Sequence, residues 1–387
     1  MDRYSYVYYN ALINNLDANS DTHHEPHLVF NEDRLSPLIT NCEDYDLSIE
    51  NFKVDLKTLP TFIPTIRYSD DDSESLTRNT TIYEITLECK GYCAKTSVIF
   101  TPQDTTNGSE APPFKKGYPN YRTNYYNLYS FEYFFVMVNE ALKTAFVNLK
   151  AVLAEFSQNI DLGSDLPYFI FDKDTGLIYL NAPEATFNDD NVDVVNMFLN
   201  KPLYRLFNSL PFTRQTDTFI SSESIPITQS GFKINISNFG EANKSELSSP
   251  QIDGSVKSGV SYLSVYQDYT TLDTWSPVES IVITSNTIPV RTSNTSSTHS
   301  YQDGEETVSG SSNIVELELT DFKSGNPIPG IIYTPAYPRW INMRNQNELT
   351  NINLELFYRS KLDGSLMPVT ICSTGAFSCK LCFRKLM

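Results

Sequence analysis

Three of the four histidines lie close together, at a spacing that could bind a metal ion. His23 and His27 are four residues apart and would share one face of a helix, with His24 beside them. Imidazole nitrogens in this arrangement are common zinc ligands. Pro26 would interrupt such a helix, and no carboxylate motif of the zinc-peptidase type follows. The sequence therefore favours a solvated loop over a metal site.

Two pairs of cysteines each have the spacing of half a zinc site. Cys379 and Cys382 form a C-x-x-C, and Cys89 and Cys93 form a C-x-x-x-C. The apolar residues around Cys379 alternate as in a strand, which sends the sulfurs of Cys379 and Cys382 to opposite faces. We therefore predict no zinc and no disulfide between them. A secretory signal has a positively charged segment followed by an apolar one, and the sequence that starts at Met1–Tyr4 does not have this pattern. We therefore expect no secretory signal, and we expect the cysteines to be free thiols.

Carboxylates are the remaining candidates for chemistry. Asp70–Asp72 followed by Glu74 is an acidic run without the spaced oxygen ligands of a calcium loop. Asp172 and Asp174 suit a hairpin turn better than an EF-hand. The chain has no G-x-S-x-G motif, no Cys–His nucleophile signature and no phosphate-binding glycine loop with lysine. We therefore predict no enzymatic activity and no cofactor.

Charge and apolar run length exclude two classes of partner. Lys and Arg total 29 against 47 Asp and Glu, which gives a net charge of −18. A chain this acidic is repelled by phosphate, so we expect no direct contact with nucleic acid. The longest apolar runs, such as Phe134–Val138, are far shorter than the ~20 residues of a membrane-spanning helix. We expect no membrane span.

The dominant hydrophobic period is two, which predicts strands. Tyr45–Leu56 alternates with a change of phase between Ile49 and Phe52, which indicates a bulge. The other predicted strands are Tyr83–Cys89, Ser97–Phe100, Pro167–Phe171, Leu177–Leu180, Phe232–Ile236, Ser261–Tyr266, Ser280–Thr284, Ile314–Leu319, Ile352–Tyr358 and Ser378–Arg384. Gly91 and Gly176 are placed to form the turns of two hairpins.

One long segment has the helical period instead. From Phe131 to Phe156 the apolar residues recur every three or four positions, and Ser130 is placed to cap the first turn. A shorter helix is predicted near Val192–Phe207, interrupted by Pro202. The chain is thus predicted to be mainly β, with antiparallel sandwiches and one long inserted amphipathic helix.

Two polar stretches suggest how the chain is divided. Glu241–Lys257 is the best candidate for a domain boundary, which predicts one β-rich domain over 1–245 with the inserted helix and a second over 246–387. Thr292–Asn313 contains few apolar residues and is predicted to be a long exposed loop of the second domain.

The tyrosines are the most informative residues of the chain. Tyr4, Tyr6, Tyr8 and Tyr9 lie in a tract that is too polar for a core and too aromatic for an ordinary linker. Tyrosine is enriched at protein interfaces because its ring is apolar while its hydroxyl keeps a hydrogen-bond partner. Ordinary core and edge-strand tyrosines are the alternative. We predict an N-terminal arm whose Tyr4, Tyr6 and Tyr8 share one face and whose tyrosines contribute to assembly.

Three stretches resemble a known family, the capsid proteins of Polinton- and adintovirus-like eukaryotic double-stranded DNA viruses, within the adenovirus-like lineage. The first is Tyr45–Ile66 followed by Asn79–Leu87, and the second is Tyr168–Tyr179. The third is the tail, with Ile352–Leu356, Asp363–Pro368 and Lys380–Arg384. Together they cover about a third of the chain.

This resemblance implies a jelly-roll fold and a structural role in the virion, without catalytic residues. A single jelly roll with insertions would suit a pentameric vertex protein, and two in tandem would suit a trimeric shell protein. The implied partners are further copies of the chain and other capsid subunits, assembled in the nucleus or cytoplasm of the host cell. The acidity of the chain favours a vertex or outer position.

Two other classes of protein remain open from the sequence. A β-sandwich that binds carbohydrate or a cell surface would need a signal peptide and disulfides, for which the sequence has no support. A hydrolase on a β-scaffold would need a pair of carboxylates facing one cleft.

Overall fold

The part of the chain that the structure describes contains 21 strands and three α-helices. This computed structural model describes residues 4–14, 27–55, 59–67, 79–103, 124–156, 158, 160–221, 226–237, 243–290, 298–302, 305–309, 312–318, 330–362, 364–369, 371 and 375–386. Strands predominate, so the predicted mainly β class is confirmed.

In the described residues, strands occur from Tyr4 to Leu386, whereas the α-helices lie between Phe131 and Leu206. The strands are β1 (Tyr4–Asn14), β2 (Val29–Asp33), β3 (Tyr45–Val54), β4 (Thr80–Cys89), β5 (Tyr92–Ile99), β6 (Tyr168–Phe171), β7 (Ile178–Pro183), β8 (Asn196–Leu199), β9 (Phe212–Ile220), β10 (Pro226–Ile234), β11 (Lys244–Pro250), β12 (Val256–Tyr266), β13 (Val278–Ser285), β14 (Thr298–Gln302), β15 (Glu305–Ser309), β16 (Ser312–Glu318), β17 (Ile331–Tyr333), β18 (Ile341–Asn342), β19 (Asn351–Ser360), β20 (Leu366–Pro368) and β21 (Ala376–Leu386). The α-helices of the described residues are α1 (Phe131–Glu155), α2 (Glu184–Phe187) and α3 (Lys201–Leu206).

A sandwich of two sheets is built from both ends of the chain. One sheet has the order β1-β21-β3-β17, with β18 also paired to β3. The other has the order β15-β14-β20-β19-β13-β16, with β2 also paired to β19. Side chains of both sheets, such as Phe52, Phe377, Ile281 and Leu354, lie in one buried cluster. The apolar faces of the alternating strands therefore meet between the sheets.

The middle of the chain forms a second cluster around α1. This cluster contains buried residues from Phe62 to Trp275, whereas the sandwich cluster contains residues up to Leu59 and from Val278 onward. Around α1 lie a closed barrel, β10-β8-β4-β5-β9, and a four-stranded sheet, β11-β12-β7-β6. We propose that the residues between 60 and 277 are one unit, inserted into the sandwich.

This partition differs from the division expected at residue 245. Glu241–Lys257 does not behave as a linker, because its described residues belong to the β11–β12 hairpin, and Lys244 pairs with Leu263. The polar composition reflects the solvent-exposed sides of that hairpin, whose Glu246 and Lys257 are both exposed. The chain also returns to the sandwich at Val278, where β13 begins, and local composition does not reveal this connection.

The long helix is confirmed within one residue of its predicted end. Phe134, Val138, Leu142 and Leu149 are completely buried on the predicted face. Ser130 occupies the N-cap position, but its side chain makes no capping hydrogen bond. Among the described residues, no helix is long and apolar enough to cross a bilayer.

The strand predictions are largely confirmed, including their irregularities. The register of β21 on β3 shifts between Lys380 and Leu381, opposite Asn51 and Ile49, so the bulge lies where the phase of β3 changes. Gly91 and Gly176 have φ values of +83° and +69° at the turns of the β4–β5 and β6–β7 hairpins. Only glycine adopts such angles without strain.

Two local predictions are wrong. Val192–Phe207 is not one interrupted helix: β8 pairs with β4 and β10 first, and α3 then begins at Lys201. Asn200 caps α3 by accepting a hydrogen bond from Leu203 N, with Pro202 in the first turn where no N–H is required. The described part of Thr292–Asn313 is not a loop, because β14 and β15 form an antiparallel hairpin there.

Candidate assembly surface

The predicted aromatic arm is a strand of the sandwich rather than a free segment. All eleven residues of β1 pair antiparallel with β21 without a register shift, from Tyr4 opposite Leu386 to Asn14 opposite Ala376. Because side chains alternate along a strand, Tyr4, Tyr6 and Tyr8 share the outer face of the sheet. We call this surface the tyrosine face.

The rings of the tyrosine face form a continuous row. The centroids of Tyr4 and Tyr6 are 6.3 Å apart, and those of Tyr6 and Tyr8 are also 6.3 Å apart, with the second pair stacked at 15°. Trp340 extends the row, since its ring lies 6.4 Å from that of Tyr6. Tyr6 and Tyr8 are 47% and 51% exposed, so about half of each side chain is available to a partner.

Arg384 of β21 connects the tyrosine face to the next strand. Its guanidinium carbon lies 4.8 Å from the ring centroid of Tyr4 and 4.2 Å from that of Trp340, within the range of cation–π attraction. Its Nη2 also lies 2.6 Å from Oδ2 of Asp46 on β3. Asn342 donates a hydrogen bond of 2.6 Å to the other carboxylate oxygen of Asp46.

Lys380 repeats this arrangement four residues away along β21. Its Nζ lies 4.6 Å from the ring centroid of Tyr8 and 2.5 Å from Oε2 of Glu50. The hydrogen bond with Glu50 raises the pKa of Lys380. Lys385 has an odd position and therefore lies on the other face of β21, where it pairs with Asp44 at 3.0 Å. Aromatic rings, cations and carboxylates therefore occupy adjacent rows of the sheet.

The charges on this face cancel although the chain as a whole is strongly acidic. Lys380 and Arg384 each pair with a carboxylate, whereas the full chain carries a net charge of −18. Two copies of an acidic protein repel each other least where their surfaces are neutral. The tyrosine face therefore combines exposed apolar rings with a locally balanced charge, as a surface for self-association requires.

Tyr9 lies on the opposite side of β1 and is not available for assembly contacts. It is 7% exposed, and its hydroxyl donates a hydrogen bond of 2.5 Å to Glu32 on β2. Burial raises the pKa of Tyr9, and the Glu32 hydrogen bond acts in the same direction. The prediction that Tyr9 contributes to assembly contacts together with Tyr4, Tyr6 and Tyr8 is therefore corrected. Side chains alternate along a strand, and the odd position of Tyr9 on β1 faces the interior.

The cysteines that resembled a zinc site lie apart. Cys379 is buried between the two sheets, while Cys382 lies on the outer face beside Tyr8, as strand alternation predicts. Cys89 belongs to the buried cluster around α1. Burial raises the pKa of Cys379 to about 12. The five cysteines that the structure describes are all buried and free.

The remaining candidates for chemistry form no centre in the described structure. His23, His24, Asp70–Asp72 and Glu74 lie outside the described residues. His27 donates through Nε2 to the carbonyl oxygen of Leu356 at 3.1 Å. Among the residues that the structure describes, no three His, Cys, Asp or Glu side chains are placed to hold a metal ion.

Asp172 acts as a turn residue, as expected. Its carboxylate accepts hydrogen bonds from the backbone N–H of Asp174 and the hydroxyl of Thr175 in the β6–β7 turn. The Thr175 hydrogen bond lowers the pKa of Asp172.

Sequence reasoning missed the cations and the tryptophan of the assembly surface. Lys380 and Arg384 are in phase with each other and out of phase with the apolar residues of β21, which marks the outer face of that strand. That signal could have been read from the sequence. The pairing of β21 with β1 could not, because these strands come from opposite ends of the chain.

Comparison with known proteins places this chain in a definite class. The family model described as Sputnik minor capsid protein V18/19 matches residues 7–385, nearly the whole chain. The protein is therefore a capsid structural protein of the virophage type. It belongs to the Sputnik minor capsid protein V18/19 family, which confirms the resemblance to capsid proteins of Polinton-like viruses.

Individual relatives agree with this assignment. The uncharacterized protein V18 of Sputnik virophage is 29% identical over 144 residues, which cover 36% of this chain and 78% of that protein. A chain in the 3.5 Å cryo-EM structure of the Sputnik virophage has a similar fold, with a TM-score of 0.73, 21% identity and coverage of 100% of this chain and 98% of that one. The mavirus penton protein has a TM-score of 0.59, 16% identity and coverage of 98% and 99%. These similarities confirm the jelly-roll type of fold.

Proposed function

We propose that this chain is the vertex subunit of its capsid and assembles with copies of itself into a pentamer. The observation that carries the proposal is that two buried clusters divide the described residues, one containing residues from both ends of the chain and the other residues between Phe62 and Trp275. A single jelly roll with an insertion suits a pentameric vertex protein. The similar fold of a mavirus protein called a penton protein supports the same role.

The inserted unit argues against a trimeric shell subunit. Two tandem jelly rolls would give a second sandwich of facing sheets. Instead, the inserted unit has α1 in its core, a closed barrel and a separate four-stranded sheet. Its architecture thus supports one jelly roll rather than two.

We infer a structural role without catalysis, in the virion and in contact with other capsid subunits. The net charge of −18 argues against direct binding of the genome, because nucleic-acid phosphates would repel this surface. Assembly inside the host cell, in its nucleus or cytoplasm, is part of the same proposal.

The mass of the purified protein in solution tests the vertex proposal. A cyclic pentamer has five times the chain mass of 43.9 kDa, about 220 kDa, and a trimer about 132 kDa. Native mass spectrometry at increasing protein concentration distinguishes these species. A trimer as the largest closed species would overturn the vertex assignment, and a monomer at every concentration would overturn self-assembly.

We further propose that Tyr4, Tyr6 and Tyr8 contribute to the contact between subunits. Their three rings form a row, and those of Tyr6 and Tyr8 are about half exposed. The cations of β21 on the same face are paired with carboxylates of β3. Covering an exposed aromatic side chain contributes on the order of 1–3 kcal/mol. The tyrosine face therefore has enough apolar surface to stabilise an interface, while its hydroxyls can keep polar partners.

Substitution of the exposed rings tests this surface better than truncation does. Deleting residues before Leu12 would remove Tyr9, which is 7% exposed, and most of an integral strand. The double variant Tyr6→Ser/Tyr8→Ser should keep the unfolding midpoint within a few degrees but shift the oligomer towards monomer.

Tyr266→Ser is the matched control, because Tyr266 is 55% exposed on β12 of the inserted unit. This control should assemble like the unaltered protein. Equal assembly of the double variant and the control would refute the role of the tyrosine face.

A further inference from the structure

The free edge of β1 differs from a normal protected sheet edge. Among the described residues β1 pairs only with β21, so one side of an eleven-residue strand has no neighbouring strand. Its sequence, YSYVYYNALIN, contains no charged residue and no proline. A long uncharged edge presents unpaired backbone groups that can pair with another chain, and proteins ordinarily prevent this with charges, proline or short strands.

The other described edges of the open sheets have such protection. β6, β17 and β18 are short, with four, three and two residues. The longer edges carry charged residues or proline: Glu32 and Asp33 on β2, Lys244, Glu246 and Pro250 on β11, Glu305 and Glu306 on β15, Glu316 and Glu318 on β16. In this comparison β1 alone is both long and uncharged.

Two backbone hydrogen bonds establish which β1 residues face the free edge. Met343 N donates to Tyr45 O at 3.0 Å, so the backbone of Tyr45 points towards β18. In an antiparallel pair the bonding direction alternates along the strand, so the next residue, Asp46, points towards its β21 partner Arg384. Beyond the bulge, Asp55 N donates to Ala376 O at 3.0 Å. Even-numbered residues of β21 therefore bond to β3 at both ends of the strand.

The odd-numbered residues of β21 must then bond to β1. Their partners are the odd-numbered residues of β1, such as Val7 opposite Phe383 and Ala11 opposite Cys379. The N–H and C=O groups of the even-numbered residues therefore point to the free edge. These are the backbone groups of Tyr4, Tyr6, Tyr8, Asn10, Leu12 and Asn14.

We propose that the free edge of β1 pairs with an edge strand of a second copy of this chain and extends the sheet between subunits. This inference rests on the proposed self-assembly and specifies one of its contacts. A second copy is the occupant because an uncharged strand is where two chains of net charge −18 can approach without direct repulsion. A β1–β1 contact would create a twofold axis, so in a pentamer β1 pairs with a different edge of its neighbour. The uncharged edge formed by β17 and β18, at the other end of the same sheet, is the one that keeps the contact free of charge.

Hydrogen exchange with residue resolution in β1 tests the pairing. In the dissociated subunit, amides of Tyr6, Tyr8, Asn10 and Leu12 should exchange fast, while those of Val7, Tyr9 and Ala11 are slow. In the assembly, the even-numbered amides should slow by at least about 100-fold, since they gain backbone acceptors. Assembly of native mass with unchanged fast exchange at these amides would overturn edge pairing without affecting the vertex proposal.

Proline substitution gives an independent test. Asn10→Pro removes one N–H from the free edge and none from the bonds to β21, a position at which edge strands tolerate proline. Its unfolding midpoint should stay close to that of Asn10→Ala, which keeps the N–H. The dissociation constant of the assembly should rise at least about tenfold in Asn10→Pro only. Equal assembly of these two variants would count against the proposal.

Hydrogen exchange in β1 also shows whether a protein other than a second copy of this chain pairs with its free edge. If the even-numbered amides become protected only when another capsid protein is added, the second copy is the wrong occupant and the proposal fails. If no oligomer forms at any concentration, the proposed self-assembly fails first.

Discussion

Arg384 and Asp46 lie 338 residues apart in the chain and form an ion pair of 2.6 Å between β21 and β3. The side chains of Arg384 and Asp46 are only 21% and 10% exposed. This contact fixes the last strand of the chain between two strands from its beginning, and it holds the guanidinium against Tyr4 and Trp340. The order of the sheet and the chemistry of its outer face thus depend on the same residue.

Removal of the guanidinium should destabilise the sandwich. Arg384→Met leaves a largely buried Asp46 carboxylate without its cation, which should lower the free energy of unfolding by about 2 kcal/mol. Urea denaturation measures this change. Lys385→Met is the control, because Lys385 pairs with Asp44 on an exposed part of the surface, with 38% and 39% exposure. An equal loss in both variants would show that burial is not the cause.

If residues 60–277 are a separate unit, a core substitution in that unit and one in the sandwich should each loosen mainly the unit in which it lies. Leu142→Ala in α1 and Leu354→Ala in β19 both remove a fully buried side chain, which costs about 2–5 kcal/mol. Hydrogen exchange should show that Leu142→Ala loosens mainly residues 60–277, and Leu354→Ala mainly the sandwich. Val136→Ala, at a 58% exposed position of α1, should change little. Uniform loosening by either core variant would contradict two separate units.

His27 should make the stability of the sandwich depend on pH. Burial lowers the pKa of His27 below its ordinary value of 6.5, although the hydrogen bond to Leu356 acts in the opposite direction. Since the unfolded chain takes up a proton near pH 6.5 and the folded chain only at lower pH, this contribution to stability is complete above pH 6.5. It is lost as the pH falls through the folded pKa. His27→Gln should flatten the stability curve in this range, and an unchanged slope would show that other groups are responsible.

Cys379 should react slowly with alkylating reagents in the native protein. Burial raises its pKa to about 12, so almost no thiolate is present at pH 8, and the sulfur is also inaccessible. Alkylation followed by peptide mass analysis should label Cys379 only after unfolding in urea.

Native protein should also contain no stoichiometric zinc by elemental analysis. Rapid native labelling or one bound zinc per chain would contradict the interpretation of these cysteines.

The position of the β14–β15 hairpin in the assembly remains a prediction from the composition of Thr292–Asn313. The segment contains few apolar residues that could be buried against other subunits, so we expect it at the exposed surface of the assembly. Limited proteolysis should cut there before it cuts elsewhere. Protection of this segment in the isolated subunit would count against the expectation.

The sequence by itself determined the class of fold and most of its elements. Period-two alternation identified strands, the bulge of β3 followed from a change of phase, and the spacing from Phe131 to Phe156 identified α1. The same period showed that Tyr4, Tyr6 and Tyr8 share a face. These properties are local, because each follows from the positions of neighbouring residues.

Only the tertiary structure decided which strands are neighbours. The polar segment over 241–257 looked like a domain boundary but is part of a hairpin, since hairpin residues facing water have the composition of a linker. Pairing between β1 and β21 places cations beside the tyrosines and buries Tyr9. Among the described residues it also leaves one edge of β1 without a neighbouring strand. Hydrophobic patterning fixes which side of a strand is buried, but it does not encode which distant strand will lie beside it.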